Sequence, residues 1–215
     1  MENEGRKVAQ IRVHDDIASA PADRMDARRG TAGDIFVLKC TAAAADRGLP
    51  LEEVVRLGEK VNGRVRSIGV ALGAASSIET GQPMFDLPSG DLEIGMGLHG
   101  EMGVSRAPFE PAETLVPKMI DLLVADYLAT QTPLDRVAVM VNALGGTTVL
   151  ELLTVAGLVR KSLEARSVPV SRFEAGEFAT SLDMAGFSIT MLPLDKEIEP
   201  LLDAGCDSVC YTRHP

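Results

Sequence analysis

The chain has 215 residues, of which 46% are hydrophobic and only 4% aromatic. This composition supports a substantial aliphatic core without disulfide bonds. The formal net charge of −10 argues against a nucleic-acid-binding surface, which needs a basic face. The sequence contains no apolar run of the ~18–20 residues that a membrane span needs. No secretory signal pattern precedes the charged N-terminus, so we expect a cytoplasmic protein with no membrane partner.

The first part of the chain predicts a short strand at residues 7–13, followed by two helices and a second strand. Thr31 and Asp34 have the spacing of a capping box for the first helix. Apolar residues at helical spacing predict the second helix over 51–61, and alternation predicts the second strand at 67–74.

A connector rich in glycine, proline and serine follows at residues 76–90. It predicts a domain boundary, with residues 1–75 as the end of a first α/β domain that another chain completes. Residues 91–215 would then form a second, smaller α/β domain.

The second part predicts further alternation of strands and helices, which is typical of α/β folds. The strands are expected at 91–99, 137–141, 172–180 and 187–192, and the helices at 112–130, after Gly146 and at 196–204. The expected fold is therefore an incomplete α/β sheet segment followed by a smaller α/β domain.

The first candidate site lies at the end of the strand that begins at Asp91. Leu92, Ile94, Met96 and Leu98 alternate with Glu93, Gly95, Gly97 and His99, so His99 shares a face with two glycines. Glycine inside a strand often marks the close approach of a ligand or another backbone. A packing or surface histidine is the alternative interpretation.

The loop from Asn142 to Thr148 is the second candidate, because a strand leads through Gly145 and Gly146 into a helix N-terminus. Such a corner favours anions, although an ordinary turn is the alternative. We expect this loop and the His99 loop to lie together at the carboxyl ends of strands in one parallel-rich sheet. Asp183 is a third candidate, with capping of a turn as the simpler role.

The cysteines give a weaker signal. Cys40, Cys206 and Cys210 are an odd number, which indicates free thiols in a reducing compartment. Cys206, Cys210 and His214 are each four residues apart, and on a helix they would align. An ordinary chain terminus is the simpler interpretation, and we expect no metal site.

Several strings resemble the substrate-binding K subunit of the dihydroxyacetone kinase family. Gly97-Leu-His-Gly-Glu-Met-Gly103 is similar to the family's Gly-Ile-His-Gly-Glu-Pro-Gly. Asn142-Ala-Leu-Gly-Gly-Thr-Thr148 resembles its Asn-Asn-Leu-Gly-Ala-Thr-Pro, and Thr180-Ser-Leu-Asp-Met-Ala-Gly-Phe-Ser-Ile-Thr190 nearly repeats its string. Ser67–Ala74 and Arg28–Gly33 match as well, so the resemblance runs from about residue 5 to residue 204.

The resemblance implies that His99 is the catalytic residue, which holds the ketone of dihydroxyacetone or a related ketose as a covalent hemiaminal. It also implies that Gly97, Gly100, Glu101, Asn142 and Gly145 line the substrate. Glu101 is the residue expected to orient the ring or contact a hydroxyl, with a solvated turn carboxylate as the alternative. The sequence departs from the family's strings at two positions. Ala143 replaces an Asn and removes a polar contact, and Met102 replaces a Pro and does not fix the backbone φ angle of the turn.

The family's upstream strings, Gly-Gly-Gly-Ser-Gly-His and Asn-Tyr-Thr-Gly-Asp with its general base, do not occur in this sequence. The chain therefore resembles the downstream portion of a K subunit, which is either completed by a separate chain or is a fragment of a longer one. We expect an oligomer that includes the upstream half of the K subunit and a nucleotide-binding L subunit or domain. That subunit would hold ATP or ADP with magnesium, and no cofactor is expected on this chain. Whether the donor is ATP or a phosphotransferase relay stays open. The alternatives are a non-catalytic ketose-binding or regulatory paralogue, and a structural paralogue with no ligand.

Overall fold

The computed structural model describes residues 5, 7–98, 103–209 and 211–214, which form alternating helices and strands. The helices are α1 (Asp34–Asp46), α2 (Leu51–Asn62), α3 (Ala112–Ala129), α4 (Val149–Ala165) and α5 (Ile198–Asp203). The strands are β1 (Arg66–Ala71), β2 (Asp91–Ile94), β3 (Ser105–Pro108), β4 (Val137–Ala143), β5 (Val170–Gly176) and β6 (Gly186–Pro193). The predicted α/β class is confirmed.

All six strands belong to one sheet, in the order β3-β2-β1-β6-β4-β5. Only β4 and β5 are parallel, and the other neighbouring strands are antiparallel. The expectation of a parallel-rich sheet was therefore wrong. Alternation of strands and helices along the chain does not fix strand direction, because a long loop can return a strand beside its predecessor.

The strand pairing does not follow the boundary expected at residues 76–90. β1 lies inside the sheet and pairs with β2 on one side and β6 on the other. Residues 72–90 connect two neighbouring antiparallel strands, β1 and β2. The glycines and prolines that predicted a boundary lie in this loop, and the division into two domains with residues 1–75 completed by another chain stays a prediction.

Residues 7–13 form no strand, in contrast to the prediction. They lie beside α2, where the amide of Asn62 donates to the carbonyl of Arg12 at 2.9 Å. The Asn62 side-chain oxygen accepts the backbone N–H of His14 at 3.2 Å. A side chain therefore makes the hydrogen bonds that a neighbouring strand would make, and the apolar alternation serves packing against helices.

The capping box expected at Thr31 and Asp34 is also wrong. The carboxylate of Asp15, which is fully buried, accepts the N–H of Gly33 at 2.7 Å and the Thr31 hydroxyl at 2.8 Å. A distant carboxylate thus binds the turn before α1, because the chain brings residue 15 back over the helix start.

Helices cover both faces of the sheet. The aliphatic face packs on α3 and α4, and its strand residues are Ile68, Val70, Val137, Val139, Val141, Phe187, Ile189 and Met191. On the opposite face, Ala138, Met140 and Leu192 pack with residues of α1, α2 and α5. That opposite face, which we call the mixed face, also contains Ser67, Gly69, Asn142, Ser188 and Thr190. Within the described part of the chain, no helix combines the length and the apolarity that crossing a bilayer requires.

Candidate functional site

The segment predicted to present His99 leaves the sheet earlier than expected. β2 ends at Ile94, and Gly95 has a φ of +78°, which turns the chain away from the strand. Residues 96–98 then pass over the mixed face, where the carbonyl oxygen of Met96 lies 3.6 Å from the position of a Cβ on Gly69. His99, Gly100, Glu101 and Met102 lie outside the described residues, so their predicted roles stay predictions.

A short polar row crosses three strands beneath this segment. Gly69 of β1 pairs with Ser188 of β6, and Ser188 pairs with Asn142 of β4. The side chain of Ser188 is 3.7 Å from the position of a Cβ on Gly69, and its hydroxyl accepts from the Asn142 amide at 3.2 Å. Gly97, which is buried and follows Met96, therefore lies in the part of the chain that covers this row.

Asn142 is fully buried and its amide is engaged within the protein. Its side-chain oxygen accepts the N–H groups of Phe178 and Ala179 at 2.8 and 2.9 Å. Its nitrogen donates to the carbonyl of Ala179 at 2.8 Å, besides the bond to Ser188. This side chain fixes the chain after β5, and its predicted contact with a substrate stays a prediction.

Gly145 and Gly146 allow the loop after β4 to pack against residues 181–184. Gly145 has a φ of +119°, and a Cβ there would lie 1.8 Å from the carbonyl oxygen of Leu182. A Cβ on Gly146 would lie 2.4 Å from the carbonyl oxygen of Asp183. Side chains at these positions are therefore excluded, which explains the two glycines without assigning Gly145 to a ligand.

Residues before His99 pack beside the loop after β4, although not by the route expected from sequence. β2 and β4 run in opposite directions, so their carboxyl ends point to opposite edges of the sheet. The turn at Gly95 redirects the chain, and Met96 and Leu98 join a small cluster with Leu144 and Met184. This contact follows from a chain reversal over Gly69, and the proximity of His99 itself to the Asn142–Thr148 loop stays a prediction.

The N-terminus of α4 is a poor anion site. Thr148 and Glu151 form a capping box, in which the Glu151 carboxylate accepts the backbone N–H of Thr148 at 2.9 Å. The Glu151 pKa is lowered by its hydrogen bonds to Thr148. A carboxylate thus already occupies the corner that sequence had suggested for an anion.

Asp183 connects two loops. Its side-chain oxygen accepts the backbone N–H of Ser76 at 2.6 Å, and this hydrogen bond lowers the pKa of the Asp183 carboxyl. The bond joins the β1–β2 connection to residues 181–184, and a role of Asp183 near the substrate stays a prediction.

Sequence reasoning missed two polar groups near the candidate site. Ser181 is buried, its N–H donates to the carbonyl of Leu144 at 2.8 Å, and its hydroxyl has no hydrogen-bond partner among the described residues. Asp16 is buried beside Arg29; burial raises the pKa of Asp16, and Arg29 opposes that shift. Ser181 belongs to a string matched to the family and Asp16 does not, and only folding places them by the loops.

A metal centre finds no support in the part of the chain that the structure describes, which contains no cluster of three histidine, cysteine or acidic side chains suited to a metal ion. Cys210, one of the three residues aligned by spacing, lies outside that part.

A family model described as the Dak1 domain matches residues 1–210. The chain belongs to the Dak1 family. Among curated members, it is 38% identical over 206 residues to a PTS-dependent dihydroxyacetone kinase 2, dihydroxyacetone-binding subunit DhaK, of Listeria innocua. It is also 38% identical over 213 residues to a D-erythrulose kinase of Mycolicibacterium smegmatis.

These relatives are longer than the chain. The matched region covers 96% of the chain but 61% of the Listeria subunit, and 99% of the chain but 36% of the erythrulose kinase. The Dak1 chain thus corresponds to part of each relative.

Two solved structures share the fold. The structure titled dihydroxyacetone kinase operon co-activator Dha-DhaQ superposes with a TM-score of 0.86 at 28% identity, over 95% of this chain and 63% of that one. The dihydroxyacetone kinase of C. freundii superposes with a TM-score of 0.75 at 34% identity, over 94% of this chain and 36% of that one.

Proposed function

We propose that this Dak1 chain is the ketose-binding part of a kinase for dihydroxyacetone or a related short ketose such as a tetrulose. The observation that supports this most directly is the string Gly97-Leu-His-Gly-Glu101, whose described residues Gly97 and Leu98 follow the turn at Gly95. Relatives at 38% identity are named as a dihydroxyacetone-binding subunit and an erythrulose kinase.

In the proposed reaction, a neutral ring nitrogen of His99 attacks the carbonyl carbon of the ketose. The carbon–nitrogen bond forms as the carbonyl π electrons move to oxygen. The oxygen gains a proton and the second ring nitrogen loses one, which leaves a neutral hemiaminal. Glycerol has no carbonyl group, so this step selects ketoses over triols that offer the same hydroxyl groups.

Phosphoryl transfer would require other protein parts. We propose that the upstream half of the K subunit supplies the general base and that a nucleotide-binding subunit or domain supplies the donor. The name of the Listeria relative distinguishes a dihydroxyacetone-binding subunit, and a relative structure of C. freundii is titled as a complex with AMP-PNP and Mg2+. The isolated chain should therefore bind ketose without turning it over.

The test follows the isotope-labelled carbonyl carbon of dihydroxyacetone by NMR, with the chain co-expressed with its upstream half. Binding should convert the carbonyl signal to that of a tetrahedral carbon, and glycerol should show no binding. His99→Ala should abolish the tetrahedral signal. The control is His214→Ala, which changes an exposed histidine. A bound ketone that keeps its carbonyl signal would exclude the hemiaminal.

A ketose-binding regulator is the second candidate, because a similar structure is titled an operon co-activator. The identity of 28% to that protein is lower than the 38% to the kinase relatives, which favours the kinase. A regulator would also form the tetrahedral signal. Turnover distinguishes them: a kinase component should release ketose phosphate once a nucleotide-binding subunit and a donor are added, and a regulator should not.

A further inference from the structure

The segment that contains His99 begins and ends at two glycines beside β2. We call residues 95–103 the histidine loop. At its start, the N–H of Gly95 donates to the carbonyl of Gly69 at 2.7 Å. At its end, the N–H of Val104 donates to the carbonyl of Ile94 at 2.9 Å. Both ends are thus held on neighbouring backbone, and charged side chains bind the same two glycines.

Arg29 binds the start of the loop. Its guanidinium donates to the carbonyl oxygen of Gly95 at 2.7 Å and to the carboxylate of Asp16 at 2.8 Å. Asp16 is buried and is itself oriented, because its second oxygen accepts the N–H of Ala18 at 3.0 Å. A fixed carboxylate therefore holds the guanidinium against the loop.

Glu93 binds the end of the loop. Its side chain is buried, and one carboxylate oxygen accepts the N–H of Gly103 at 2.6 Å. The other oxygen accepts from Arg106 at 3.2 Å, and Arg106 also donates to the carbonyl of Asp86 at 2.5 Å. Hydrogen bonds with an ionised partner are about twice as strong as neutral ones, so both ends of the loop are held by the stronger kind.

The chain can approach these side chains only because both ends are glycine. Gly95 has a φ of +78°, and a Cβ there would lie 2.3 Å from the Cβ of Ala18. A Cβ on Gly103 would lie 2.5 Å from the carbonyl oxygen of Ile94 and 2.7 Å from the Cγ of Glu93. Close packing at both glycines and the charged contacts together fix the two ends of the loop.

We propose that Glu93 and Arg29 are positioning residues for His99, acting through the two ends of the histidine loop. This inference rests on the proposed capture of a ketose by His99. Gly95 and Gly103 are held by these contacts, so the loss of either contact releases one end of the loop that contains His99. Attack on a carbonyl carbon requires the ring nitrogen about 3–3.5 Å away, and a displacement of about 1 Å costs about 100-fold.

The test compares Glu93→Ala, Glu93→Gln and Tyr127→Phe. The glutamine oxygen can still accept the N–H of Gly103, whereas alanine cannot. Tyr127→Phe removes a buried hydrogen bond to the carbonyl of Met191 on the aliphatic face, away from the loop. The first readout is the dissociation constant for dihydroxyacetone, measured on the co-expressed complex. We expect a ~100-fold increase for alanine, restoration by glutamine to within ~10-fold of the unmodified chain, and no change for Tyr127→Phe.

The second readout is amide hydrogen exchange in a peptide that covers residues 95–104, measured without ketose. Glu93→Ala and Arg29→Ala should accelerate exchange there at least ~10-fold, because each removes a bond at one end of the loop. Tyr127→Phe should leave that peptide unchanged.

The two readouts separate the proposals. If the unmodified chain captures no ketose but Glu93→Ala accelerates exchange, the proposed function fails and the control of the loop by Glu93 stands. If ketose is captured equally well by Glu93→Ala, or exchange in that peptide does not change, the positioning role of Glu93 is wrong. If Glu93→Gln weakens ketose capture as much as Glu93→Ala does, loss of the hydrogen bond to Gly103 does not explain the weaker capture.

Discussion

The strands β1, β4 and β6 present different side chains on the two faces of the sheet. On the aliphatic face, β1, β4 and β6 contribute branched and long apolar side chains that pack on α3 and α4. On the mixed face, the same strands contribute Ser67, Gly69, Asn142, Ser188 and Thr190, of which the four with polar side chains are all buried. Part of this second face packs on helices, and the rest lies beneath loop residues 96–98 and 178–181.

The difference shows which face fixes the positions of the loops. Apolar packing stabilises in proportion to the buried area and is not directional, so the aliphatic face can hold helices without fixing individual atoms. Buried polar groups are costly unless they are bonded, and their bonds are directional. The mixed face therefore determines where loops lie, and the candidate site is made of those loops.

The largest effect should come from the aliphatic face. Leu123 of α3 is fully buried, and Leu123→Ala should lower the free energy of unfolding by about 3 kcal/mol, because it removes apolar contacts and leaves a cavity. The neighbouring Leu122 is 47% exposed, so Leu122→Ala should cost less than about 1 kcal/mol. Chemical denaturation measures both, and equal losses would contradict the packing of α3.

Asn142→Ala should destabilise the mixed face by about 2 kcal/mol, because it leaves the partly buried N–H of Phe178 and the buried N–H of Ala179 without their partner. Hydrogen exchange should rise at residues 178–181 and not in α3. Ser188→Ala is the matched control, because it leaves the bonds of Asn142 to Phe178 and Ala179 intact. If Asn142→Ala were as mild as Ser188→Ala, directional bonding on this face would be unimportant.

The hydroxyls of Ser67 and Thr190, both fully buried, are 2.7 Å apart. Ser67→Ala or Thr190→Val alone should cost about 1 kcal/mol, because each leaves the other hydroxyl unpaired. The double variant should cost less than the sum of the two single losses. Strict additivity in a denaturation cycle would show that the two hydroxyls do not interact.

The smallest effect should be that of Ser181→Ala. Its hydroxyl is buried and has no partner among the described residues, so its removal should change the free energy of unfolding by less than about 0.5 kcal/mol. Ser67→Ala, which removes a bonded hydroxyl of similar burial, is the comparison. A loss above about 1 kcal/mol for Ser181→Ala would show that this hydroxyl is bonded after all.

The prediction from sequence was most accurate for the helices and for the buried strand. α2 was expected at 51–61 and is found at Leu51–Asn62, and α3 was expected at 112–130 and is found at Ala112–Ala129. Helical periodicity and a run of apolar residues are local signals that survive folding. The prediction of a strand at 7–13 was wrong, because the same alternation also suits an irregular segment that packs against a helix.

The prediction that the strand extends to His99 was wrong for a related reason. Alternation continues from Leu92 to Leu98, but the strand ends at Ile94 because Gly95 adopts a positive φ. Alternation records which side chains are apolar, and it does not record where the backbone turns. The contact of Glu93 with Gly103 was likewise not predicted, since the two residues are ten apart in sequence and only the fold brings them together.

The sequence by itself determined the family, the α/β class, most helices and the residue proposed to capture a ketose, because these depend on local periodicity and on short strings of fixed order. The tertiary structure decided the mostly antiparallel strand order, the single sheet, the reversal over Gly69 and the contacts of Arg29 and Glu93. Those features depend on groups that are distant in sequence and directional in their bonding, and no local pattern encodes such a pairing.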